Sequence, residues 1–437
     1  MNILQLSLIL LLTSILCNSC EDASQKNILF IYTDDQAYYS DQLLDQVMPN
    51  VYKNIKSKGI HYTNYICSSP YCAPSRASLI TGQYPHNTGH KNNSNTYKEF
   101  VLKYESETLG KWMQEAGYYT IFAGKYFNPG FPNDISPNYI PEGWDAFLGS
   151  KGGRYWGTHA VSSGNTKNKA FLYPSNKIRS EMEVNFLIKS IKESIDQNSN
   201  KPLFIYFAPF EPHTPGKTEV LSKMYSPEER NKFSDFYLDN GSSMKKKDMN
   251  YRSRFRALNQ LDRQIGRLID SLSEYNLYDP THVLYTSDNG FMLGEHNVFG
   301  KQQPYEECIR IPFYHKEPYG HQSSIKNQLI GTVDITPTLL DIAQVENKEQ
   351  FDGKTFRKCK NRKWIYSEMF ESGQSNKPDW FLLRSKEAVF IEKKNIGFEY
   401  YDLITDPKQN ENLYHEGEFQ GLESLLSKAK LCNGDCL

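Results

Sequence analysis

The stretch with the densest chemistry is Cys72-Ala-Pro-Ser-Arg76-Ala-Ser-Leu-Ile-Thr-Gly82. A proline two residues after the cysteine suits the first turn of a helix, where its missing N–H would be unpaired in any case. The cysteine then sits at the helix mouth. Backbone N–H groups and the positive dipole end favour an anion there, and Arg76, one turn on, adds a full charge. The spacing predicts an anion pocket with the cysteine at its mouth, set against the usual fate of a free cysteine as a buried structural residue.

Two groups of oxygen donors accompany it. Asp34-Asp35 and Asp288-Asn289-Gly290 each follow an apolar run of strand length. Adjacent carboxylates at a strand end repel one another once desolvated, and a hard cation relieves that repulsion. Either group alone would read as a solvated turn; together they suggest a four-residue oxygen cage. Glu211-Pro-His213-Thr-Pro215 fixes an imidazole between prolines. Tyr84-Pro-His86-Asn-Thr-Gly89 reads as a turn-rich loop over the pocket, with His86 as a candidate substrate contact and a plain surface histidine as the alternative.

The elements that must position these groups are legible as apolar runs. Residues 27–33, 118–125, 202–210 and 281–287 have the continuous apolar character of strands buried on both faces of a mostly parallel sheet. Each ends where a chemically active residue begins. Helical spacing appears at 107–116, 180–195 and 255–272, while 128–175 looks irregular and 217–250 resembles a polar surface insertion. From about 345 the pattern changes to short alternating segments at 364–366, 380–384, 388–392 and 398–402, followed by a helix over 422–430, which predicts an antiparallel sheet.

Composition sets the wider bounds. The chain has 437 residues, 38% of them hydrophobic, and a formal charge of -1, enough for one large domain with a smaller partner and no global attraction to nucleic acid. Residues 3–16 form an apolar run with the length of a secretory signal core, so 1–20 reads as an export signal. Cys20 stands where a bacterial lipoprotein cysteine would, which makes lipid anchoring the alternative to simple cleavage. Cys432-Asn-Gly-Asp-Cys436 is spaced to close a small disulfide loop.

Cys-x-Pro-Ser-Arg-x-x-Leu-Ile-Thr-Gly is similar to the signature of the formylglycine-dependent (type I) sulfatases, and the resemblance extends over about residues 26 to 413. It implies an α/β, alkaline-phosphatase-like fold with a large, mostly parallel sheet sandwiched by helices. A catalytic domain over 26–344 and a C-terminal antiparallel β subdomain over 345–437 follow from it. It implies that Cys72 is oxidised to formylglycine (3-oxoalanine) by a formylglycine-generating enzyme or an anaerobic maturase. Asp34, Asp35, Asp288, Asn289 and the modified Cys72 would hold Ca2+, with Mg2+ as the alternative. Lys125 and Lys301 match the family's sulfate-binding lysines, Arg76 shares that task, and His213 matches the histidine on the ester oxygen. Gly124-Lys-Tyr-Phe-Asn128 is similar to the version in glucosamine-6-sulfatases and heparan endosulfatases. It places Phe127 where a catalytic histidine often stands and offers Asn128 as a substrate contact in its place. The expected substrate is a sulfated saccharide, with bacterial polysaccharide sulfatases also in view. A phosphatase or phosphodiesterase of the same fold and a non-catalytic glycan-binding protein are the competing readings, and no oligomeric state follows.

Overall fold

The computed structural model describes residues 25–39, 41–94, 97–127, 131, 135–136, 138–150, 159–162, 169–172, 178–197, 200–213, 245–345, 351–371 and 378–434. Residues 1–20, read as an export signal, with Cys20, and also Asn128 and Cys436, lie outside these residues.

In chain order the strands are β1 (Asn27–Thr33), β2 (Ile60–Ile66), β3 (Tyr119–Lys125), β4 (Ala146–Ser150), β5 (His159–Ser162), β6 (Lys169–Leu172), β7 (Leu203–Ala208) and β8 (Thr281–Ser287). They continue as β9 (Met292–Leu293), β10 (Phe299–Gly300), β11 (Tyr314–Lys316), β12 (Ser324–Gly331), β13 (Ile365–Met369), β14 (Trp380–Arg384), β15 (Ala388–Lys393) and β16 (Gly397–Asp402). One sheet has the order β12-β2-β11-β8-β1-β7-β3-β4-β5-β6, and a second has β13-β14-β15-β16. In the large sheet β8, β1, β7, β3 and β4 run parallel, as do β12 and β2, whereas β11, β5 and β6 pair antiparallel. The small sheet is antiparallel throughout.

β1 lies at the centre because both its faces are apolar. Leu29 and Ile31 join one core cluster, and Ile28, Phe30 and Tyr32 join the other on the opposite face. Six of its seven residues are buried, so leaving the strand unpaired would desolvate its amides without partners. Its parallel neighbours β7 and β8 therefore end level with it, and three loops meet at one edge.

The helices that matter for the site are α1 (Cys72–Thr81), α2 (Arg179–Asp196), α3 (Lys245–Glu274), α4 (Ile335–Ile342) and α5 (Gln420–Ala429). Every residue of α1 is buried, and Gly82 stops it in a left-handed conformation with its N–H on Ser78 O at 2.8 Å. Of the stretch 217–250 read as a surface insertion, 217–244 lie outside the described residues, and 245–250 belong to this 30-residue helix. The stretch 128–175 is not wholly irregular either: β4, β5 and β6 extend the sheet there.

The two sheets are tied by buried polar contacts. Arg384 of β14 donates to both Glu306 carboxylate oxygens, at 3.2 and 3.1 Å, and to Asn64 Oδ1 at 2.7 Å. Cys432 is disulfide-bonded, whereas Cys67, Cys72, Cys308 and Cys359 are free.

Candidate active site

The site is assembled at the carboxyl ends of the central strands. Cys72 is the first residue of α1, and Asn93 Oδ1 accepts the N–H of Ala73 at 3.0 Å, so one open amide of the first turn is already partnered. Asp34 and Asp35 follow β1, Lys125 ends β3, and Asp288-Asn289 follow β8. Asp35 has φ 65, a left-handed conformation that a short polar side chain tolerates. Its N–H donates to Asp288 Oδ1 at 2.9 Å, so the two loops brace each other.

Cys72 Sγ lies 3.5 Å from Asp34 Oδ1, 3.8 Å from Asp35 Oδ1 and 2.7 Å from Lys301 Nζ. Lys301 follows the short β9–β10 hairpin and also reaches Asp35 Oδ1 at 2.5 Å. Lys125 Nζ donates to Asp34 Oδ2 at 2.7 Å. Arg76 grips Asp288 Oδ2 through Nε at 3.1 Å and Nη2 at 2.9 Å, and its Nη1 donates to Lys125 O at 2.8 Å. His213 Nε2 stands 3.6 Å from Asp35 Oδ2, with its ring stacked on Phe210 at 4.5 Å between centroids. Eight residues from six regions of sequence thus gather around one thiol.

Electrostatics follow from burial against charge. Burial alone would raise the Asp34 carboxyl, but Lys125, His213, Arg76 and Lys301 hold it well below its usual range. Asp35 is likewise lowered against its burial, chiefly by Lys301. Asp288 is pushed up to about 6 by burial and by the charge of Asp34, in spite of Arg76. Burial pushes the Cys72 thiol up to about 12, and depresses His213 below the ordinary histidine value. Lys301 moves the other way: the carboxylates and Cys72 keep it protonated in spite of burial.

A hard divalent cation fits these donors. Ligand atoms of Asp34, Asp35 and Cys72 lie within 4.8 Å of one another. Asn289 gives its amide N–H to Asp35 Oδ1 at 2.7 Å and to Gly290 O at 2.8 Å, while its Oδ1 is buried without a hydrogen-bond partner. A desolvated amide oxygen beside two carboxylates is the donor set a hard cation takes.

One expected contact falls elsewhere. His86 does not overhang the pocket: its Nδ1 meets Glu368 Oε1 at 2.8 Å and its Nε2 meets Cys432 O at 2.9 Å, which commits the ring to the seam with the small sheet. Asn128 lies outside the described residues. Phe127 is buried against Tyr97, Phe100 and His90, with ring centroids 5.1, 4.9 and 4.9 Å away.

Sequence reasoning missed the residues that hold the site's backbone. Ser75 Oγ donates to Asp288 O at 2.6 Å, Glu211 O accepts the Asp34 N–H at 3.2 Å, and Arg254 Nη2 donates to Asp35 O. Ser75 lay inside the motif and could have been found there. Arg254 is one of several basic residues at the start of α3 and carries no sequence signal of its role.

The model of the sulfatase family matches residues 26–345, and that of the N-sulphoglucosamine sulphohydrolase C-terminal region matches 294–433. The chain is 30% identical over 358 residues to a Caenorhabditis elegans homologue of extracellular sulfatase Sulf-1, covering 76% of this chain and 48% of that protein. It is 28% identical over 357 residues to human N-acetylglucosamine-6-sulfatase, covering 75% and 63%. It therefore spans about half to two thirds of the length of these curated relatives. The solved structure of BT4656 in complex with its substrate D-glucosamine-2-N,6-O-disulfate superposes with a TM-score of 0.73 at 22% identity, over 92% of this chain and 96% of that one. With more than half its length matched by the family model and the strand-end cluster in place, the chain belongs to the sulfatase family.

Proposed function

We propose that the protein is a sulfuric ester hydrolase that releases sulfate from a sulfated saccharide, with position 72 as the nucleophile after conversion of Cys72 to formylglycine. The observation that carries this reading is the convergence of Lys301, Asp34 and Asp35 on Cys72 Sγ at the first turn of a buried helix. A thiol pushed up to about 12 is almost wholly protonated near neutral pH, so the unmodified side chain is a poor nucleophile in this setting.

Asp34, Asp35, Asp288 and Asn289 would hold Ca2+, or Mg2+ in its place. When bound, formylglycine supplies a hydroxyl nucleophile as its hydrate, and the cation supplies charge stabilisation to oxygens placed against it. The chain's own residues supply the rest. Arg76 and Lys125 are held at the helix mouth as fixed cations, and they bind and orient the sulfuryl group. Lys301 keeps its proton and lies 2.7 Å from the nucleophile position, where it offsets developing negative charge. His213 faces the same pocket from the opposite loop and, with Lys301, holds or gives a proton to the departing sugar oxygen. The burial of every α1 residue limits water beside the nucleophile.

Support for a saccharide sulfate comes from the relatives, among them an N-acetylglucosamine-6-sulfatase, and from the BT4656 complex. The maturation enzyme as a partner, export of the chain and anchoring at Cys20 belong to the same proposal, with an extracellular sulfatase homologue in support of export. No helix among the described residues is long and apolar enough to cross a membrane. The phosphatase reading needs a second metal cluster, and among the described residues one group of ligating side chains is found.

The test is sulfate release from N-acetylglucosamine 6-sulfate by protein made with a maturation enzyme. Turnover by the parent that is abolished in Cys72→Ala and by EGTA supports the proposal. Equal turnover by Cys72→Ala, or release of phosphate from the matching phosphate ester at a higher rate, contradicts it.

A further inference from the structure

The segment Lys354-Thr-Phe-Arg-Lys-Cys-Lys-Asn-Arg-Lys363 places six cationic residues within ten positions and no acidic one, in a chain whose net charge is -1. It borders an open groove. Lys354, Lys358, Lys360, Arg362, Lys363 and Trp364 line this groove of about 760 Å3, together with Leu425 of α5. That volume is typical of a ligand cleft.

The floor is fixed, and two of the rim lysines carry no ion pair among the described residues. Arg362 is buried and holds both carboxylate oxygens of Asp334, and Gln328 of β12 donates to the backbone oxygens of Phe356 and Cys359 at 2.7 and 2.6 Å. Arg357 and Lys358 share the single carboxylate of Asp341 at the end of α4, at 3.0 and 2.5 Å. Lys360 and Lys363 are exposed, and neither has a carboxylate within ion-pair distance among the described residues. Lys360 and Lys363 thus place two positive charges at the rim that no described carboxylate offsets. Clustered like charge is self-repulsive, so an anion at the rim is favourable.

The groove is distinct from the cluster around Cys72. Its segment is anchored through the N–H groups of Asp352 and Gly353 on Gly82 O, at 3.0 and 3.3 Å, at the far end of α1. A ten-residue helix separates Gly82 from Cys72 by about 15 Å.

We infer that this groove is a docking site for a sulfated polysaccharide chain, an inference that rests on the sulfatase reading for its choice of polyanion. Sulfate groups suit the lysine rim, and the indole of Trp364 suits the C–H face of a pyranose, a pairing that a purely basic surface lacks. The groove holds the polymer, and a monosaccharide substrate does not need it.

The test compares the parent with Lys360→Glu/Lys363→Glu and with Lys360→Gln/Lys363→Gln, all as the full chain. Binding of a heparin-derived decasaccharide is measured by titration calorimetry, and turnover of N-acetylglucosamine 6-sulfate is measured in parallel. The expected result is a decasaccharide Kd raised about tenfold or more by the Glu pair and less by the Gln pair, with monosaccharide turnover within about twofold of the parent. An unchanged decasaccharide Kd overturns the inference, and so does equal affinity of the parent for a short DNA duplex or for unsulfated hyaluronan. A parent that binds the decasaccharide through these lysines and releases no sulfate sinks the catalytic reading while leaving the docking site intact.

Discussion

Three carboxylates and three permanent cations share the pocket around Cys72, and their sum is zero: Asp34, Asp35 and Asp288 against Arg76, Lys125 and Lys301. A divalent cation added to that set would leave an excess of two positive charges, of which a singly charged sulfate ester would offset one. On the proposed reading, the pocket would gain its net attraction for an anion from the bound metal. Lys125 is the residue on which this argument can be tested. Its ammonium is the nearest counterion of Asp34 and it stands beside the Arg76 guanidinium through its own carbonyl oxygen. Lys125→Ala should lower kcat/KM for sulfate release about 10²- to 10³-fold, the usual loss for removing one preorganised charge from a site that stabilises developing negative charge. A loss under about fivefold would show that Lys125 does not contact the sulfuryl group.

At the scale of elements, strand ends decide what meets. β1, β7 and β8 were legible because strands buried on both faces have no polar alternation to hide them, and their terminal residues Thr33, Ala208 and Ser287 lead directly into Asp34, the His213 loop and Asp288. β5 and β6 were not legible: each has four residues at the far edge of the sheet, too short for a period to register. β12 was hidden for another reason, since its first four residues are exposed and polar or mixed. β3 carries the tightest element-level constraint. Gly124 has φ +123, and a Cβ there would sit 2.0 Å from Ala208 O of β7, so a side chain must push apart the two strands that deliver Lys125 and the His213 loop. Gly124→Ala should destabilise the protein by about 2–4 kcal/mol in chemical denaturation, more than the roughly 1 kcal/mol expected of positive φ alone. Gly89→Ala is the control, with φ +74 and nothing within 4 Å of the added carbon. Equal effects of the two changes would mean that β3 and β7 separate without cost.

At the scale of the whole molecule, the small sheet closes one flank of the large one and adds surfaces that the sequence did not announce. The seam uses His86, which had been expected over the pocket, as a bridge between Glu368 and Cys432. A histidine in a turn-rich loop gives no indication of which side its ring will face, because the partner is 282 residues away. The same limit applies to Glu211 and Arg254, which act on backbone atoms of Asp34 and Asp35 from distant elements. By contrast, Cys72, Arg76, Asp34, Asp35, Asp288 and Asn289 were readable from local motifs, since a helix mouth and strand ends carry their own signatures. The basic groove beside α5 lies between these cases: its charges are plain in the sequence, and its concavity comes only with the fold.

The account turns on the chemical state of residue 72, so the most direct measurement is the mass of the Cys72 peptide from protein made in a host with a maturation enzyme. Conversion of the thiol to the aldehyde lowers that mass by about 18 Da, and the account predicts this loss together with sulfate release. An unmodified cysteine in protein that nevertheless turns over a sulfated saccharide would contradict it.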